Sequence, residues 1–256
     1  MSLLISISLM LYLCRESLGT ALCDNSLPVA ARIQALESLA KIVSIEDDVY
    51  VRKYYTWLIT NKHQDESIIT RTYSCEKCIP KYAIIMFAER YRSRDLRQCM
   101  EMLYKIRAIW WHDDSVKNKL LSIIKAKYPK FDGSAASDLN DVNIIEYCSY
   151  LMCNAYVGNQ NIKPVMLVLL RDKRVATDFL RYSAVGHSVP LPSRICDFAM
   201  ISLLILHQVD IPTFSRDYGY PLNFTDKKFA NPQRYIENAF DAMIADYDVI
   251  SRKYFK

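Results

Sequence analysis

Three stretches of this chain hold residues whose types and spacing could do chemistry. The first is Cys75-Glu76-Lys77-Cys78, set just before Pro80. Two thiols at a helix start can form a redox dithiol, because the helix N-terminus favours the thiolate. They can also supply half of a zinc site, which needs about four ligands. No second CxxC occurs, so Cys99, His63 and His112 would have to be recruited to complete a set with Cys75 and Cys78. The second stretch is Trp110-Trp111-His112-Asp113-Asp114-Ser115-Val116. Its plain reading is an aromatic core pair, with Asp113, Asp114 and Ser115 capping the helix that follows. The third is a basic run that includes Arg90, Arg92, Arg94, Arg97, Lys117, Lys119, Lys125 and Lys127. From Arg90 to Lys130 the chain has eleven Lys or Arg against four Asp or Glu, although its net charge is only +5. Such a surface can neutralise phosphates or meet an acidic protein. It can equally be a solvated helix face.

The elements that must carry these residues read as helices. The 256 residues are 51% hydrophobic, enough to bury a large core. There are only five glycines, and neither GxGxxG nor GxxxxGK[ST] occurs, which disfavours nucleotide cradles. The eight cysteines are widely spaced and are expected mostly as small buried apolar residues in a reducing compartment. The run Leu3 to Cys14 is apolar but has no Lys or Arg before it and is too short to span a bilayer. It is expected as part of a first core helix, Leu3 to Leu22, and not as a signal peptide.

Ser26 to Val43 returns without a gap as Ser188 to Ile205, aligning Pro28 with Pro190 and Arg32 with Arg194. Each copy predicts a helix opened by proline. The buried stripes would be Val29, Ile33, Leu36, Ala40 and Val43 in one, and Leu191, Ile195, Phe198, Ser202 and Ile205 in the other. Arg32 is expected to pair with Asp47 or Asp48, and Arg194 with Asp210. Further helices are expected over Glu46–Leu58, from Pro80, and over Leu96–Trp111, Val116–Tyr128, Ile144–Tyr156, Val165–Tyr182 and Tyr235–Tyr254. Residues 61–70 and Pro212–Pro232 read as irregular, and no alternating strand is evident. Residues 132–141 (D-G-S-A-A-S-D-L-N-D) form the best linker, dividing helical halves at 1–131 and 142–256.

Helix pairs opened by proline, with an early arginine, resemble HEAT-type α-solenoid repeats. That resemblance implies an all-α, irregular stack of antiparallel helix pairs, and a non-enzymatic scaffold for a protein partner. The spacing of Pro28, Pro80, Pro164 and Pro190 departs from the regular HEAT period of about 40–47 residues. The tryptophan stretch is also similar to the W-W-D-S-V-D segment of the HEAT-like alkylpurine DNA glycosylases. That second resemblance implies Trp111 as a platform and Asp113 or Asp114 as the carboxylate, with two residues inserted and Lys117 where the family has Asp. The expectation adopted is an intracellular interaction scaffold with no cofactor, metal or membrane span. Nucleic-acid binding through the basic run, and a CxxC thiol or zinc protein, are the alternatives.

Overall fold

The start signals act first at the helix termini. In the computed structural model Pro28 and Pro80 occupy the positions just before α2 (Val29–Leu39) and α4 (Lys81–Arg90), and Pro164 lies in the first turn of α8 (Lys163–Leu169). The absent N–H of proline costs nothing there, because no carbonyl awaits it. The other described helices are α1 (Ser2–Cys23), α3 (Val49–Thr60), α5 (Ser93–Lys105), α6 (Asp114–Lys127), α7 (Asp141–Val157), α9 (Ile195–Leu206), α10 (Pro232–Ala245) and α11 (Tyr247–Tyr254). The structure describes residues 2–60, 78–131, 141–176, 181–184, 187–190, 194–209 and 232–255. The fold is all-α, with one small hairpin. The irregular stretch expected at 61–70, all of the one at 212–232 except Pro232, which opens α10, and all but the last residue of the expected linker lie outside the described residues.

The chain divides into two compact units. The first comprises Met1–Tyr91 with Lys105–Lys119. In it α1 packs against α2 and α3, and α3 against α4. Leu22, Leu36, Leu39, Tyr55, Leu58 and Phe87 are fully enclosed. Each such side chain contributes roughly 1.5–3 kcal/mol by leaving water. α3 starts at Val49 because Asp48 caps it, accepting the N–H groups of Tyr50 (2.9 Å) and Val51 (3.1 Å). Gly19 of α1 lies so close to the Tyr50 ring that a Cβ there would come within 2.3 Å of it.

The second unit comprises Arg92–Tyr104 with Leu120–Lys256. Helix α9 is its centre, packing against α7, α8 and α10. α7 ends at Gly158, whose φ of 77° sets a left-handed turn. Its N–H bonds the Ala155 carbonyl, and the Asn159 N–H reaches back to Asn154, both at 3.0 Å. Gln208 makes the same turn after α9 with φ 53°, a conformation less easily adopted by a residue with a Cβ.

Several expectations are corrected. The helix expected over Val165–Tyr182 is the short α8. Arg181–Ala184 (β1) instead pairs antiparallel with His187–Pro190 (β2), Tyr182 opposite Val189. Pro190 therefore belongs to a strand, and α9 begins at Ile195, capped by Arg194. Leu96–Trp111 is not one helix: α5 ends at Lys105 and a 3-10 turn covers Arg107–Ile109. The last helix breaks at Asp246 into α10 and α11.

Candidate functional site

The tryptophan stretch builds a helix junction. Trp110 and Trp111 keep 1% and 6% of their surfaces, with ring centres 5.7 Å apart. The Lys117 ammonium lies 5.2 Å from the Trp111 ring centre. Asp113 caps α6 by accepting the Val116 N–H at 3.1 Å, as the capping reading requires. Its carboxylate also pairs with Lys81, which holds the Asp113 carboxyl below its usual range. Lys81 in turn donates its backbone N–H to the Glu46 carboxylate. Asp114 and His112 are exposed. The geometry joins α4 to the start of α6, and Trp111 has little face left for a base to stack on.

Cys78 is disulfide-bonded, not the reduced thiol expected, and Cys75 lies outside the described residues. Its carbonyl accepts the Tyr55 hydroxyl at 3.0 Å. Cys99 is a free thiol in the other unit, buried, and its pKa is pushed well up by burial. Cys148, Cys153 and Cys196 are likewise buried free thiols, with Cys153 and Cys196 pushed up to about 12 by desolvation. Among the described residues no three His, Cys, Asp or Glu side chains gather as a metal site would require.

The basic run is divided between the two units. Arg90, Lys117 and Lys119 belong to the first unit, while Arg92, Arg94, Arg97, Lys125 and Lys127 belong to the second. Arg92, Lys119 and Lys125 are exposed, and Lys117 and Lys127 are half-buried. Arg90 donates to the Leu58 carbonyl at 3.4 Å. Arg97 is buried, 3.6 Å from Glu101. The stripe beneath the lysines, Val116, Leu120, Ile124 and Tyr128, is buried as its helical spacing implies.

Two polar arrangements escaped sequence reading; Asp210, the partner expected for Arg194, lies outside the described residues. Arg194 chelates the wholly enclosed Asp197 through Nε and NH2, and also reaches Asp241 at 3.1 Å and the Glu237 carbonyl at 3.0 Å. Burial pushes the Asp197 carboxyl up, and Arg194 offsets this only in part. Among the described residues no carboxylate lies within ion-pair distance of Arg32: Asp48 is held by Arg15 at 2.8 Å, and Asp24 acts on Arg32 only at longer range. The Arg32 guanidinium stacks on Trp57 at 4.0 Å and on Tyr54 at 5.0 Å, and donates Nε–H to the Leu22 carbonyl at 2.8 Å. Its NH2 is buried without an acceptor.

The largest departure from a satisfied surface is in α1. Leu9, Met10, Leu11, Tyr12 and Leu13 are 58, 67, 50, 56 and 57% exposed, and Cys14 is exposed as well. The second half of the same helix carries the packing: Gly19 faces Tyr50, Leu22 is enclosed, and Arg15 and Glu16 join Asp48 and Tyr50. The expectation of a core helix therefore holds from Arg15 onward and fails for Leu9–Cys14. The signal was the run Leu3–Leu13 itself, which has no polar face for solvent and no charge before Arg15. Among the described residues no helix is long and apolar enough to cross a membrane. Compared with protein-family models, characterised proteins and solved structures, the chain matches none.

Proposed function

We propose that this chain is a non-enzymatic helical interaction scaffold, built from stacked helix pairs of the HEAT-like kind, and that it holds its partner through the first half of α1. The observation that supports this reading is the unbroken exposure of Leu9 to Cys14. Scattered apolar residues are ordinary on any surface, whereas a contiguous run marks an interaction site. The residues able to do chemistry are spent on architecture: Asp113 caps and pairs, Trp110 and Trp111 fill a core, and Asp197 anchors Arg194.

The test compares the wild-type chain with the triple variant Leu9→Ser, Leu11→Ser, Leu13→Ser as immobilised baits. Each is offered nuclease-treated soluble and membrane fractions of a cell extract. The expected result is material retained by the wild type and lost by the variant, with the helical circular dichroism unchanged. Equal retention by both would overturn the reading. The nucleic-acid alternative draws on exposed Lys119 and Lys125. It requires duplex binding that weakens by roughly 0.9 log units per log unit of salt for each phosphate contact. It also requires that binding be abolished by Lys117→Glu, Lys119→Glu, Lys125→Glu and Lys127→Glu together.

A further inference from the structure

Resting on the reading that the first half of α1 is the docking element, we propose that its partner is lipid: the stretch from Leu9 to Leu13 enters the acyl region of a bilayer. The argument begins with direction. Successive residues of a helix turn by about 100°, so Leu9 to Leu13 sweep about 400° and point to every side of the axis. All five are at least half exposed. A protein groove takes one face of a guest helix and leaves a polar face outside. A second copy of this chain pairing along α1 would likewise cover one stripe and leave the remainder wet. Acyl chains surround a helix on all sides, which is the covering this segment lacks.

The ends of the exposed stretch agree with that occupant. Leu9 to Leu13 lie inside α1, more than one turn from either end, so their amides are paired within the helix, which hydrocarbon demands. No charge interrupts Leu3 to Cys14. Tyr12 stands one turn before Arg15, where an aromatic residue with a polar tip suits the headgroup level. Arg15 and Glu16 then open the water-facing half, already tied to Asp48 and Tyr50 of the folded unit. The folded part is thereby held beside the membrane by a helix it does not itself bury.

The experiment uses the full chain and phosphatidylcholine vesicles. Sedimentation should carry the wild type down with the vesicles, and the bound fraction should fall at least tenfold in the Leu9→Ser, Leu11→Ser, Leu13→Ser variant. Because a polar triple variant could misfold, a second variant, Leu11→Trp, keeps the apolar character. Its added fluorescence should shift to shorter wavelength on vesicles and be quenched by brominated acyl chains. Absence of co-sedimentation, or a Leu11→Trp signal that acyl-chain bromine leaves untouched, overturns the lipid assignment. If that happens while the wild-type bait still retains a soluble protein that the triple variant loses, the docking reading survives and the lipid partner is wrong. If the triple variant matches the wild type in every binding assay, the docking reading falls as well.

Discussion

Two copies of one sequence pattern meet opposite fates in this protein. Ser26–Val43 contains α2, which buries Arg32, Ala35, Leu36 and Leu39 and turns Gln34 and Glu37 to water, with Lys41 exposed just beyond its end. Ser188–Ile205 spends its first part on β2 and its second on α9, where eleven of twelve residues are buried. In register, Glu37 corresponds to Ala199, Lys41 to Leu203 and Ala35 to Asp197. The proline opens a helix only in the first copy, while the shared arginine and apolar spacing accompany a helix of either kind. The residues on the remaining face decide whether it covers a core or becomes one. The two arginines diverge for the same reason. Arg194 finds Asp197 three residues on, whereas Arg32 finds Ala35 at that place and lies on aromatic rings instead.

That contrast can be broken from either side. The largest effect should come from Ala199→Glu, which gives α9 the outward residue of α2 at a position with no exposed surface. An unpaired carboxylate there should cost more than about 4 kcal/mol in urea unfolding, or abolish folding of the second unit. The reciprocal Glu37→Ala should stay within about 0.5 kcal/mol. Next comes Arg194→Met, which strands the Asp197 carboxylate and should cost about 3–5 kcal/mol. Adding Asp197→Leu should recover much of that loss in a double-mutant cycle. By contrast Arg32→Met removes a buried cation that has no acid partner and keeps contact with Trp57. It should change stability by less than about 1 kcal/mol while altering Trp57 fluorescence. The smallest effect is a gain. Ser202 is enclosed with an unpaired hydroxyl, and its counterpart is Ala40. Ser202→Ala should raise stability by up to about 1 kcal/mol, read as a higher urea midpoint at unchanged slope.

Much of the fold was legible because helix signals are local. Proline before α2 and α4, Asp113 before α6 and the stripe from Val116 to Tyr128 all work within one or two turns. What escaped depends on distant residues. The short α8 and the hairpin occur where Cys196 N–H bonds the Asp172 carbonyl and Ile195 N–H bonds the Arg174 carbonyl, contacts that local periodicity does not encode. The predicted α2 stripe is rotated because Trp57, outside the repeated stretch, draws Arg32 inward. The candidate site was half legible. The apolar run Leu3–Leu13 was visible, but that the folded unit would leave Leu9–Leu13 uncovered depends on where α2 and α3 pack along α1.

The claim that α1 is divided into a structural half and a docking half is tested most directly by amide hydrogen exchange, with and without phosphatidylcholine vesicles. The account predicts that vesicles slow exchange across residues 2–14 and leave α2 and α9 at their rates in buffer. Unchanged exchange over 2–14, or protection that falls instead on α2 or α9, would contradict it.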